Sequence, residues 1–490
     1  MKPENISDAI GMLDEDLIAG ADAARKGRLS DRSKRRRPFW VAGAAAAVCL
    51  CLLVTCLFVP GTSSKATVIA EAVYPQMSPY PNEEEYISPV TGEFDDEGFS
   101  QVYDAWRESR QAQLNQPDGY QDGLEAFFSA ATANLLSGAE GENLVYSPLN
   151  LYMTLAMLAE LTEGQSRDQI LELMGVENID ALRNKAASLW NANYCDDGSV
   201  TSILANSLWL NEDVSFQQST LDRLASVYYA SSYRGQMGSA SFDRQLQDWL
   251  SQQTGGLLEE QAQDISMTPD TVMALASTVY FRAKWSAEFS ESSTTEEVFH
   301  TPAGDISCDF MHQSSTRNYY WSEQFSAVSL SLRESGSMWL FLPDEGVDVQ
   351  SLLTDENVTR LLFDLDSWTD SRFLIVNLAM PKFDVSSDLR LKDSLQAMGI
   401  TDVFDPSISD FSPMTRDAEG IYLSQADHAA RVAVDEEGVT AAAYTVMATA
   451  GAGEPPDEEV DFVLDRPFLF VITGCDGSPL FAGIVSQPVQ

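Results

Sequence analysis

Apolar positions are distributed along this chain in three ways. From Phe39 to Val59 they run for 21 residues without a charge. At about 1.5 Å of rise per residue such a helix reaches roughly 30 Å, the hydrocarbon thickness of a bilayer. Residues 39–59 are therefore expected to cross a membrane. Before them, Ile6, Ile10, Leu13 and Leu17 recur at helical spacing in a polar background, which predicts a solvated amphipathic helix. After them, residues 60–118 read as a spacer. Pro75, Pro79, Pro81, Pro89 and Pro117 interrupt it, acidic clusters extend it, and Val102–Asn115 has room for one short helix.

From about residue 119 the pattern is that of a packed domain. Leu124, Phe127, Phe128, Ala131 and Leu135 share a helical face, predicting a helix over 124–136. Residues 149–161 are apolar nearly all round, so that helix is expected to be central and buried. Strand-like runs follow at 202–210, 273–281, 338–342, 373–380, 430–434, 468–473 and 480–485. Gly474-Cys-Asp-Gly-Ser-Pro joins the last two as a hairpin connection. Helices and strands mix without strict alternation, which predicts an α+β fold.

Charge divides the chain again. It carries 74 acidic and 30 basic side chains, a net charge of −44. Residues 1–38 hold 9 basic and 7 acidic residues, so the remaining 452 carry −46. Lys34, Arg35, Arg36 and Arg37 stand directly before the apolar run. Positive-inside logic then places residues 1–38 in the cytoplasm and 60–490 outside the cell. A domain this acidic is not built to bind nucleic acid, because phosphate contacts need Lys and Arg. Retention of the anchor is the expectation. Two alternatives stay open: cleavage near the small-x-small triplet Ser64-Lys65-Ala66, and lipid attachment at Cys56 through a faint lipobox at 53–56.

Candidate chemistry is sparse. Cys49, Cys51 and Cys56 lie in the apolar run, leaving Cys195, Cys308 and Cys475 in the globular part without zinc or disulfide spacing. They read as single buried thiols. The three histidines, His300, His312 and His428, are not accompanied by G-x-S-x-G, H-E-x-x-H or a phosphate-binding loop. No metal, no cofactor and no enzymatic activity are expected.

Several segments, taken together and in order, resemble the serpin family. They are NLVYSPLNLYMTLAMLAELTEGQSRDQIL from Asn143, NSLWLNE from Asn206, and TVYFRAKWSAEF around Trp285. EVFHTPAGD precedes DFMH at Asp309, and LAMPKFDVSSDLRLKDSLQAMGITDVF begins at Leu378. HAARVAVDEEGVTAAAYT from His428 and DRPFLFVI from Asp465 complete the set. The resemblance covers residues 120–490. It implies three sheets, eight or nine helices and an exposed loop near the C-terminus that a target protease cleaves. The cleaved loop would then insert into the central sheet and trap the acyl-enzyme. The expected organisation is a cytoplasmic tail (1–38), a transmembrane helix (39–59), an acidic linker (60–118) and a serpin domain (119–490). The tail ahead of the anchor also looks like the short tails of single-pass proteins in clostridia-like bacteria, which implies a bacterial source.

A hinge that passes from solvent into a sheet needs small side chains and a flexible start. Glu437, Gly438, Val439, Thr440, Ala441, Ala442 and Ala443 supply them, with Gly438 tolerating a positive φ. In a strand, Val439, Ala441, Ala443 and Thr445 would share the inward face. The family usually has Thr or Ser where this chain has Val439, and a smaller residue than Tyr444. Family spacing counted forward from the hinge implies a reactive bond at Ala452–Gly453, and counted back from Arg466-Pro467-Phe468 it shifts to about Gly453 or later. No Lys or Arg lies between Arg431 and Arg466, which excludes trypsin-like targets and favours elastase-like or subtilisin-like serine proteases. The resemblance also assigns Ser147, Asn150, Asn206 and His428 to the region where the sheet parts, and Trp285 to the point where the loop first enters. The leading reading is a monomeric extracellular inhibitor tethered to the membrane. The alternative is a non-inhibitory protein of the same fold, used for binding or as a protease substrate.

Overall fold

The computed structural model describes residues 66–138, 141–263, 265–417, 420–439 and 458–488. The predicted tail and transmembrane run lie outside these residues, and among the described ones no helix is long and apolar enough to cross a membrane. The strands are β1 (Thr67–Ala70), β2 (Leu144–Tyr146), β3 (Cys195–Asp196), β4 (Thr201–Asn211), β5 (Ala230–Gly235) and β6 (Met273–Lys284). β7 (Thr295–Thr301), β8 (Gly304–Trp321), β9 (Phe325–Ser331), β10 (Ser337–Pro343), β11 (Ser371–Pro381) and β12 (Phe383–Arg390) follow. The last are β13 (Asp427–Val434), β14 (Gly438–Val439), β15 (Glu459–Val463), β16 (Phe468–Thr473) and β17 (Pro479–Val485). The helices used below are α1 (Asp96–Leu114), α2 (Leu124–Leu135), α3 (Pro148–Leu161), α4 (Gly164–Leu173), α5 (Ile179–Asn193), α6 (Gln218–Val227) and α7 (Ala240–Gln253).

Two mixed sheets organise the domain. The first runs β1-β5-β4-β6-β14-β13-β12, and the second β15-β11-β8-β9-β10-β16-β17-β2. The family resemblance implies three sheets. Here β8 is 18 residues long and pairs with β7 and β11 and, at its far end, with β9, so it joins two of them into one ladder. The predicted strands are all present, and most extend by one to three residues beyond the apolar runs.

The central helix forms as its sequence predicts. Ser147 caps it by accepting a hydrogen bond from the Asn150 N–H, and Pro148 occupies its first turn, where a missing N–H costs nothing. It packs against β6 and β17, while α7 lies against β4 and β6. Both faces of the first sheet are thus covered, which is why β4 is buried almost without a break. Leu208 and Leu210 enter the main core, and Trp209 enters a second core with Phe242, Leu246 and Met267 beneath α7.

Residues 66–118 do not behave as the spacer their prolines predict. β1 pairs antiparallel with β5, and α1 starts at Asp96 rather than Val102, capped by the Asp95 carboxylate on the Gly98 N–H. The prolines keep the chain extended between these elements, and Tyr74, Tyr80 and Trp106 pin it to the body.

Candidate functional site: a strand seam and its hinge

Among the described residues, β6 and β13 share no direct backbone pairing; β14 lies between them. Val439 is opposite Ala283 of β6 on one side and Val434 of β13 on the other, and Gly438 is opposite Lys284. The first two residues after the turn following β13 therefore already form a strand at one end of a seam. Val439 is buried within the main core. Its methyl groups satisfy an inward position that Thr would fill only with a partner for its hydroxyl.

Gly438 is required for a reason other than the one its sequence context predicts. Its φ is not positive. A Cβ at this position would stand 2.3 Å from the Ala283 carbonyl oxygen and 2.8 Å from Lys284 Cα. Close approach of two backbones, and not a left-handed turn, demands glycine here.

The turn before the hinge is held from several directions. The Asp435 carboxylate accepts from the N–H groups of Glu437 (3.0 Å) and Gly438 (3.2 Å). The Trp285 indole donates to the Asp435 carbonyl at 2.9 Å, and its backbone N–H donates to the Glu437 carbonyl at 3.0 Å. Glu436 is buried, bonded to Thr294 Oγ1 at 2.7 Å and paired with Lys382 at 2.8 Å. Burial alone would raise its pKa, but these partners outweigh it and hold the carboxyl below the usual range. Trp285 therefore sits against the backbone that leads into the seam.

A polar cluster lies between α3 and the sheet. Ser147 Oγ donates to the Leu480 carbonyl at 2.6 Å, and the Ser147 N–H donates to His428 Nε2 at 2.9 Å. Asn150 Nδ2 donates to the Ser277 carbonyl at 3.2 Å. The Ser277 hydroxyl faces both Asn150 Oδ1 and Asn206 Oδ1, and Asn206 Nδ2 donates to the Tyr228 carbonyl at 2.8 Å. Asn150, where the family often has serine, thus bridges α3 to β6. The structure brings Ser147, Asn150, Asn206 and His428 together in this one cluster. Ser277 and Asp435 are not singled out by the sequence. Ser277 stands within an ordinary strand run, and only its register opposite Asn206 exposes it.

His428 is buried, and burial lowers its pKa to about 4. Accepting the Ser147 N–H at Nε2 leaves the neutral ring's proton on Nδ1. In the unfolded chain the ring titrates near 6.5. As pH falls from 6.5 to about 4, the unfolded state takes up a proton that the folded state refuses, so stability is lost across that window and no further below it. The expected loss is about 3 kcal/mol. Urea midpoints at pH 7.5 and 4.5 should lie further apart for the native chain than for His428→Gln, which keeps an acceptor but no titration; an equal separation would contradict the assignment.

The other candidate residues are placed plainly. Thr440, Ala441, Ala442, Ala443, Ala452 and Gly453 lie outside the described residues. His300 pairs with Asp305, and His312 with Glu297, on the β7–β8 hairpin. Cys195 and Cys308 are buried free thiols and Cys475 is half-buried; burial pushes Cys308 up to about 11, far from thiolate chemistry.

The sheet order, with the two-residue β14 between β6 and β13, defines a mixed α+β protein with a short strand seated in that seam. Residues 124–488 match the family model for serpins, described as serine protease inhibitors, and the chain belongs to that family. A curated relative, Serpin-Z2A of Oryza sativa subsp. japonica, is 29% identical over 402 residues, covering 72% of this chain and 93% of its own. The fold is shared with the thermophilic serpin tengpin in its native state (TM-score 0.67, 24% identity, 76% of this chain and 95% of that one). It is shared also with Arabidopsis AtSerpin1 in its native stressed conformation (TM-score 0.64, 24% identity, 76% and 99%).

Proposed function

We propose that this protein is an extracellular suicide-substrate inhibitor of serine proteases, not itself an enzyme and using no cofactor. The target's serine would attack the Ala452 carbonyl, releasing the Gly453 amine and forming an ester. Insertion of the loop behind β14, through Thr440, Ala441, Ala442 and Ala443, would then trap that ester before water reaches it. The observation that supports this most is Gly438–Val439 standing as a strand between β6 and β13. On this reading Ser147, Asn150, Asn206 and His428 are the polar contacts that must yield as the sheet parts. Targets with an elastase-like or subtilisin-like pocket fit a bait region without Lys or Arg. Residues 39–59 would anchor a bacterial, monomeric protein in the cell membrane, with its tail inside and residues 60–490 outside.

The test is to incubate the chain with pancreatic elastase and, separately, with subtilisin, and to resolve the products on a denaturing gel. A stable complex near the summed masses supports trapping, and the released C-terminal fragment should begin at Gly453. Quantitative loop cleavage with full protease activity remaining would overturn it in favour of a substrate or binding role.

A further inference from the structure

The segment between the predicted membrane run and α2 touches both sheets. At the edge of the first sheet, Thr67 is opposite Arg234, Val68 opposite Tyr233 and Ala70 opposite Ser232. β1 thereby covers the N–H and C=O groups that β5 would otherwise present as an open edge. The Ala72 N–H donates to Ser231 Oγ at 3.1 Å. Tyr74 then stacks on Trp190, Tyr194 and Tyr229, with ring centroids 5.7, 5.6 and 6.0 Å apart. Further along, the Tyr80 N–H donates to the Asp197 carbonyl at 2.7 Å, and the Trp106 indole donates to the Asp197 carboxylate at 3.1 Å. Asp197 is buried in the turn that leads into β4.

The same segment grips two turns of the second sheet. Arg333, after β9, donates to Tyr80 Oη at 2.9 Å and pairs with Glu83 at 2.5 Å. Tyr103 donates to Glu334 at 2.9 Å. Arg110, buried in α1, reaches Cys475 Sγ at 3.4 Å, and Tyr120 donates to Asp476 at 3.0 Å, both in the turn between β16 and β17. Residues 66–120 thus tie the outer edge of the first sheet to the tips of two hairpins in the second.

The seam lies on the other side of β4 and β6. A strand longer than β14 needs about 4.8 Å on each side, so its neighbours must stand about 10 Å apart along its whole length. β6, β4 and β5 must therefore separate from β13 and β12 as a group, and β1 is attached to the far side of that group. Any shift of the group must strain or break contacts made by residues 66–120.

We propose that residues 66–120 are a brace that sets how readily the seam between β6 and β13 opens. The consequence for protease trapping rests on the inhibitory reading; the brace itself does not.

The experiment uses the full chain carrying Tyr74→Ala and, separately, Trp106→Ala, compared with the native chain by amide hydrogen exchange. Peptides covering β6 and β13 should exchange at least tenfold faster, while β16 and β17, buried in the second sheet, stay at the native rate. Glu83→Gln, which removes one ion-pair partner at the brace, should give a smaller increase of about threefold at the same peptides and serves if the larger truncations fail to fold. Unchanged β6 and β13 rates, or an equal increase in every strand, would overturn the proposal. Because exchange needs no protease, a chain that never forms a covalent complex but opens faster at the seam would sink the inhibitory reading and keep the brace.

Discussion

Gly438→Ala is expected to abolish covalent complex formation, to less than a tenth of the native yield, with the loop cleaved instead. The added Cβ would meet the Ala283 carbonyl oxygen at 2.3 Å and Lys284 Cα at 2.8 Å. Both are backbone atoms of β6, and β6 can recede only by carrying β4 with it, since the two pair from Arg282 to Met273. Alanine must therefore expel Gly438 and Val439 from the seam. That returns the buried Val439 side chain to water, a cost of roughly 1.5–3 kcal/mol, and removes the strand from which further insertion would grow. The contrast is Val439→Thr, which keeps the volume and adds one hydroxyl; it should retain most complex formation. Gel densitometry against elastase, with urea unfolding in parallel, checks both. Undiminished complex with Gly438→Ala would show that β14 has no part in trapping.

The fold was legible where burial imposes a regular pattern. β4, β10, β16 and β17 are covered on both faces, so their apolar runs announce them. β8 was not legible: GDISCDFMHQSSTRNYYW is largely exposed or half-buried and carries no apolar stripe, and only pairing with β7, β9 and β11 makes it a strand. The extension misled for a related reason. Its prolines argue for a spacer, yet extended chain is also what lies along a sheet edge, and the anchoring aromatics are single residues too far apart to form a period.

The site was legible in part. Small residues after Gly438 and the polar set Ser147, Asn150, Asn206 and His428 can be picked out of the sequence through the family resemblance. Ser277 and the anchoring role of Glu436 cannot, because their meaning comes from partners 71 and 142 residues away. The warrant for Gly438 also changed, from backbone freedom to backbone crowding, which no single sequence distinguishes.

Glu160→Ala is expected to cost 3–5 kcal/mol of stability, roughly what removing one partner of a buried ion pair costs. The carboxylate is wholly buried on α3, a helix whose sequence otherwise announces an apolar core. Arg183 of α5 grips it with two donors, Nε to Oε1 at 2.5 Å and Nη2 to Oε2 at 2.9 Å, and this pairing raises the Arg183 pKa. Arg223 of α6 approaches at 3.4 Å, and the Tyr228 hydroxyl donates at 3.0 Å. Truncation removes the shared acceptor of two cations and a buried hydroxyl, leaving Arg183 only the exposed Asp180 carboxylate. Arg223→Ala should cost under about 1 kcal/mol, since that side chain is one-third exposed and its contact is long. Adding Arg183→Ala to Glu160→Ala should recover part of the loss, because the second change removes a charge left with only an exposed partner. The network has a bearing on the seam: Tyr228 also accepts, through its carbonyl, the Asn206 amide beneath the sheet, and Tyr229 carries the Tyr74 stack of the brace. Loss of Glu160 should therefore lower the urea midpoint and also speed exchange in β4 and β5. A midpoint within about 1 kcal/mol of native would mean that the three helices are held by apolar packing alone.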